Sequence, residues 1–252
     1  MMQAMRSAAS GMSMQQLAMD VTANNISNVS TPGFKGYAPR FTDLLYGSHR
    51  GPAGVVLVGM GAGVSEVRRD LASGAFENDG DPFHLAIEGE GFFQVRLPDG
   101  GVGYTRAGLL GVDGEGNLVV GAGMLLEPPL ALPQGTSGFA VDERGLVTVT
   151  GADGKMIEVG RMVLARFVNP AGLEARGDGV LLATEASGPP LSALPGEGGA
   201  GFLRQGFLEY SNVDLAREMV EMITALRAYE MNAKMVQTAD ESLGVANNIL
   251  RS

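Results

Sequence analysis

The chain has 252 residues, and its 18 Lys and Arg against 28 Asp and Glu give a formal net charge of −10. So acidic a surface repels phosphate backbones and anionic lipid, and neither basic runs nor aromatic-basic interleaving occurs, so no nucleic-acid partner and no direct membrane insertion are expected. With no Cys, 2 His and no Trp, disulfides, thiol nucleophiles and Cys or His metal clusters are excluded.

The first segment repeats at alternating spacings of three and four through Met2, Met5, Ala9, Met12, Gln16, Met19, Ala23 and Ile26. That is the period of one amphipathic helix face. Ser7, Ser10, Ser13, Gln15 and Gln16 interrupt it, so the continuous apolar block of a secretory leader is missing. Ser30-Thr31-Pro32-Gly33 stops the helix, which is expected to end near Asn28. Asn25-Ile26-Ser27 and Asn28-Val29-Ser30 match the glycosylation sequon, but a glycan there would block packing of the seam.

Residues 34–80 read as a connector, with Phe41–Tyr46 a short helix and Val64–Leu71 a strand. Gly59-Met60-Gly61-Ala62-Gly63 lacks the last glycine spacing of a dinucleotide fingerprint and reads as a loop. The uncharged stretch around it, Gly51–Ser65, is too short and too broken by Gly and Pro to span a bilayer.

Residues 81–211 have another texture. Asp-Gly pairs at Asp79, Asp99, Asp113, Asp153 and Asp178 signal hairpin turns. Short apolar runs flank them at Leu85–Ile87, Phe92–Leu97, Leu118–Val120, Leu146–Val149 and Met162–Val168. A mainly antiparallel β domain follows from this pattern. Within it Glu88 and Glu90, two apart on a strand, could form an acid/base pair, but such neighbours more often mark a wet face. Asp113-Gly114-Glu115-Gly116-Asn117 faintly resembles a calcium loop, yet Met124 stands where a bidentate Glu is needed. His49 and His84 have no second ligand at metal spacing. No catalytic, cofactor-binding or metal-binding residue is expected, and no cofactor.

The C-terminal segment again alternates three and four, through Met219, Met222, Leu226, Tyr229, Ala233, Val236, Asp240, Leu243, Asn247 and Leu250. Ser211 or Asn212 is the expected cap, with Asp214 in the first turn. Asp240 and Asn247 interrupt the seam and are expected to face a channel or fix register. The fold class is therefore α+β: residues 1–33 with 212–252 form a terminal helical domain of long paired helices, a coiled-coil-like layer, around the connector at 34–80 and the central β domain at 81–211. Such helices are marginal alone. Their seams need each other or copies on neighbouring subunits.

Three separated blocks carry a resemblance. Ala23–Lys35, ANNISNVSTPGFK, resembles the N-terminal signature of the bacterial flagellar rod and hook family of axial proteins, and Ser211–Leu243, beginning SNVDLAREMVEMITALRAYE, resembles its C-terminal signature. Leu85–Gly108 and Val112–Gly123 look like the β domain of its longer members. LRQGFLEYSNVD, ALRAYEMNAK and FVNPAGLEARGDG look most like the distal-rod branch, with a proximal rod paralogue the nearest rival. Gly47–Gly63 is shorter than in that branch, in a region tied there to rod stiffness.

The resemblance implies a structural subunit that stacks helically into a hollow, torque-transmitting shaft in the basal body, and no enzyme. It implies export through the flagellar type III apparatus without a cleaved signal peptide. Implied partners are further copies of the chain, proximal rod proteins, hook protein, the surrounding basal-body rings and the export apparatus. Asn24, Asn25, Asn28 and Phe34 match the N-terminal motif. Together with Met5, Met12 and Met19, and with Met222, Leu226, Tyr229, Val236 and Leu243, they form the expected assembly interface. A β-rich binding module on a coiled-coil stalk is the alternative from a different class.

Overall fold

The computed structural model describes residues 2–44, 46–51, 54–136 and 138–249, and shows an α+β chain: two helices at the ends and an antiparallel β-rich region between them. It divides into two compact units, one of residues 1–27, 37–70 and 213–252, the other of residues 28–36 and 71–212. The chain therefore passes between units four times.

In the helical unit, α1 spans Met2–Ser27 and α2 spans Leu215–Ile249. The cap of α2 is Asp214, not Ser211 or Asn212: its carboxylate accepts the Ala216 N–H at 2.9 Å and the Arg217 N–H at 3.2 Å. Aspartate does this well because its short carboxylate reaches the second and third amides, which lack helical partners. A two-stranded arm, Tyr37–Asp43 with Ala62–Arg69, packs against α1. It continues into Tyr46–Gly51 paired with Gly54–Gly59. The described part of Phe41–Tyr46 is thus extended rather than helical; Phe41 faces Val64 across the arm, and pairing partners decide the conformation of so short an apolar run. Leu45 lies outside the described residues.

The β-rich unit holds a nine-stranded antiparallel sheet. Its main path runs through Glu174–Gly177, Val180–Leu182, Val102–Thr105, Phe92–Arg96, Met124–Glu127, Leu118–Val120 and Leu110–Val112. Leu164–Arg166 branches from Phe92–Arg96 and pairs with Leu191–Ala193. Gly138–Val141, Leu146–Thr150 and Met156–Arg161 make a three-stranded sheet, and Leu85–Glu88 pairs with Phe202–Gln205. The Asp-Gly pairs at Asp99, Asp113, Asp153 and Asp178 lie in hairpin turns as their sequence suggests. At the last, Asp178 and Gly179 both adopt positive φ, 52° and 71°, the conformation a two-residue turn demands. Asp79-Gly80 instead links Phe76–Asn78 to Leu85–Glu88, whose strand partners are Phe207–Glu209 and Phe202–Gln205.

The main core of this unit is an apolar cluster. Leu85, Ile87, Phe93, Val95, Leu118, Val120, Val147 and Leu164 keep essentially no exposed surface. Alternation along Leu146–Thr150 puts Val147 and Val149 inside while Leu146, Thr148 and Thr150 are half-buried, as the two-residue strand period requires. A second buried cluster joins Phe92, Tyr104, Ala165, Phe167 and Leu173.

Candidate functional site

In the helical unit α1 and α2 lie antiparallel. Asn25 near the end of α1 donates to Glu218 Oε1 at 3.2 Å, and Gly11, fourteen residues earlier, approaches Asn232, fourteen residues later. A Cβ on Gly11 would stand 2.9 Å from Asn232 Nδ2, so the helices are in close contact there. Among the described residues of the two helices, the buried positions are small or polar, Ala8, Thr22 and Asn25 on α1 and Ala225 on α2. The large apolar residues flank this line. Met5, Met12 and Met19 are half-buried, as are Met222, Tyr229 and Val236, whereas Leu226 and Leu243 stay 45% and 38% exposed. Ala9, Gln16, Ala23 and Asp240 face outward. Small side chains let two backbones approach, and that advantage is invisible to a count of large apolar residues. Leu250 and the side chains of Met2, His49 and Asn247 lie outside the description.

Asn25 is the polar centre of this unit. Its Oδ1 accepts the Tyr37 N–H at 2.9 Å while its Nδ2 donates to the Tyr37 carbonyl at 2.8 Å, so the amide completes the backbone of the strand that follows α1. Burial pushes the Glu218 carboxyl above its ordinary range, opposed by the hydrogen bond from Asn25. Asn24 is exposed. Tyr37 is held in turn, since Arg69 Nη2 donates to its hydroxyl at 2.7 Å.

Asn28 and Phe34 belong to the β-rich unit. The Asn28 carbonyl accepts the Thr31 N–H at 3.1 Å, and the Phe34 N–H donates to Thr31 at 3.2 Å, two successive turns after α1. These lead into a buried ionic junction. Glu209 Oε1 accepts from Lys35 Nζ at 2.6 Å and from the Gly74 N–H at 3.0 Å, and Oε2 lies 3.6 Å from Arg106 Nε. Lys35 Nζ also donates to the Ala72 carbonyl at 2.8 Å, and Asn212 accepts the Gly36 N–H at 2.9 Å. Burial pulls the Arg106 guanidinium below its usual value, with Glu209 and Glu90 pulling it back. The sequence reading missed this junction. Its signal was a lone Lys in STPGFK and a lone Glu in GFLEYSN, each charged inside a block of turn and apolar residues.

The carboxylates weighed for catalysis do not converge. Glu88 pairs with Arg204 at 3.4 Å and Glu90 with Arg166 at 2.5 Å, and Gly89 between them turns the chain out of the strand with φ 120°. Asp113 accepts the amide N–H groups of Glu115 and Asn117, at 2.9 and 2.8 Å. Those bonds, the one from Asn117 foremost, hold its carboxyl below the usual range and close a hairpin. His84 pairs with Asp79.

Three family descriptions match in chain order. "Flagella basal body rod protein" covers residues 5–35, "Flagellar hook protein FlgE/F/G D1 domain" covers 86–149, and "Flagellar basal body rod FlgEFG protein C-terminal" covers 204–249. Flagellar basal-body rod protein FlgG of Borreliella burgdorferi is 40% identical, with all of both chains covered. The chain belongs to the FlgG family of flagellar basal-body rod proteins. The Caulobacter vibrioides FlgG is 41% identical over 98% of this chain and 99% of its own. The rod protein FlgF of Escherichia coli is further away, 29% identical over 91% of each chain. FlgG proteins are structural components of the basal body and not enzymes. The three matched blocks cover α1 and its exit turns, the strands from Leu85–Glu88 to Leu146–Thr150, and α2 with the strand Phe207–Glu209 before it.

Proposed function

We propose that this chain is a distal-rod subunit that polymerises helically with copies of itself into a hollow shaft, transmitting torque and passing exported subunits. The observation that carries this is a second apolar face on α2. Met219, Val220, Ile223 and Leu226 lie on it, 45–64% exposed, on a helix whose other side already meets α1. Four large apolar side chains on one stretch of helix form a patch that monomers rarely leave open. Copies of the terminal helices side by side would cover it as a coiled-coil-like inner layer. In that layer Met5, Met12, Met19, Met222, Tyr229, Val236 and Leu243 pack within and between subunits, and Asn24, Asn25, Asn28 and Phe34 fix the exit of α1.

The implied neighbours are proximal rod proteins below, hook protein above and the basal-body rings around, at a periplasmic site reached by type III export without leader cleavage. The short Gly47–Gly63 segment is the feature in which this rod would differ in stiffness. Sedimentation and electron microscopy of the whole chain beside a chain shortened to residues 28–212 test the reading. Uniform tubes from the whole chain alone are expected. A discrete small oligomer from the whole chain, or tubes from the shortened one, would overturn it, the first in favour of a binding module on a helical stalk.

A further inference from the structure

The chain enters the β-rich unit at residue 28, leaves it at 36, re-enters at 71 and leaves for the last time at 212. The last three of these passages are tied to one another inside the unit. Asn212 Oδ1 accepts the Gly36 N–H at 2.9 Å, while its Nδ2 donates to the Ala72 carbonyl at 3.2 Å. Lys35 Nζ donates to the same Ala72 carbonyl at 2.8 Å and to Glu209 Oε1 at 2.6 Å, and that oxygen also accepts the Gly74 N–H at 3.0 Å. One carboxamide, one ammonium and one carboxylate thus hold three chain segments together.

The segments are also pressed close. A Cβ on Gly33, which has φ 71°, would stand 2.7 Å from the Ala107 nitrogen, and a Cβ on Gly74 would stand 1.9 Å from the Tyr210 carbonyl oxygen. The Gly33 N–H donates to the Glu209 carbonyl at 2.8 Å. Gly33 meets Glu209 and Gly36 meets Asn212, three residues further on in each, so the two segments run side by side in one direction. Glu209 is fixed in its turn: it faces Phe76 across a strand pair, and the next residue, Tyr210, donates its N–H to the Ala75 carbonyl at 2.8 Å. A pull on Gly36 along the chain therefore slides one segment past a fixed neighbour and loads the bonds between them together, not one after another.

We propose that Lys35, Glu209 and Asn212 form a mechanical clasp, which makes the passages at 36, 72 and 212 a single anchor and shares among them a load that arrives on any one. Its charge-assisted bonds are of the strong kind, and forced release is governed by the rate at which such bonds open. In a shaft that transmits torque, load carried along the chain from a terminal helix enters the β-rich unit at this anchor. That use rests on the rod reading, whereas the clasp itself is a property of one molecule.

Single-molecule pulling on the whole chain tests it. The chain has no cysteine, so two added thiols are its only attachment points. In Ala38→Cys with Asp153→Cys the load crosses the clasp; in Glu115→Cys with Asp153→Cys, both at exposed hairpin turns, it does not. Asn212→Ala removes the bonds to Gly36 and Ala72. At one fixed force it should make the first opening across the clasp about tenfold faster and leave opening between the two hairpins unchanged. Equal opening rates across the clasp with and without the Asn212 side chain would overturn the proposal. So would equal acceleration along both paths, which would show a general loosening of the unit. Neither pair needs polymer, so the result stands whether or not the chain forms rods, and the rod reading is decided separately by sedimentation.

Discussion

Lys35 and Glu209 stand 174 residues apart in sequence, yet Nζ and Oε1 meet at 2.6 Å with 4% and 0% of the side-chain surfaces exposed. Removing one partner of a buried pair strands the other charge in a low-dielectric interior. Glu209→Ala would leave Lys35 and Arg106 without their shared carboxylate and the Gly74 N–H without its acceptor. Stability of the β-rich unit should fall by about 3–5 kcal/mol, read by urea unfolding followed through the near-ultraviolet signal of Tyr104. A loss under about 1 kcal/mol would mean that the junction is solvated.

Gly108 and Gly114 make a matched pair. A Cβ on Gly108 would sit 1.5 Å from the Leu85 carbonyl oxygen, whereas one on Gly114 meets nothing within 4 Å. The Leu85 N–H donates to the Gly108 carbonyl at 2.9 Å, so the clash is with backbone that cannot move without losing that bond. Gly108→Ala should cost about 3 kcal/mol or more, and Gly114→Ala less than about 0.5 kcal/mol. Equal thermal shifts for the two variants would contradict this.

Glu218 gives the helical unit a pH dependence of definite sign. Its carboxyl is raised by burial, with Glu221 adding repulsion and Asn25, Arg217 and Thr22 opposing. An acid whose folded value is raised stabilises the fold most below the ordinary glutamate range, and that contribution fades as pH rises through the raised value. Unfolding of α1 and α2, followed by far-ultraviolet circular dichroism, should therefore shift to lower temperature between that range and neutrality. Glu218→Gln keeps an acceptor for Asn25 and should flatten the slope. Parallel slopes for the two chains would assign the dependence elsewhere.

Leu226 separates folding from assembly. It is 45% exposed, so Leu226→Asp should alter the melting of the free chain by less than about 0.5 kcal/mol. The same change puts a charge into the apolar face on which copies are proposed to meet, and polymer should disappear from the pellet. Rods formed by this variant would remove Leu226 from the interface.

Much of this architecture was legible because its signals are local. The three-four spacing marked both helices, and four Asp-Gly pairs marked hairpins, since a turn needs its residues in one place. What escaped depended on distant partners. Phe41 became strand because Val64 lies across from it, and no window around Phe41 contains that information. The closest line between the helices escaped for a different reason: Ala8, Gly11 and Ala225 matter through what they lack. The Lys35–Glu209 junction escaped because two isolated charges carry no period at all.

Neither unit is contiguous in the chain: the helical unit joins the first and last segments, and the β-rich unit joins residues 28–36 to 71–212. The strand pair Phe76–Asn78 with Phe207–Glu209 and the ion pair of Lys35 both wait for the same late segment. A chain released N-terminus first therefore keeps Phe76–Asn78 and Lys35 waiting for Phe207–Glu209 until the last fifth emerges, with the cost of closing so long a loop falling on one late step. Arrival of that late segment closes both units, and a product cut short of it keeps the strands between Phe92 and Ala193 but lacks these closures.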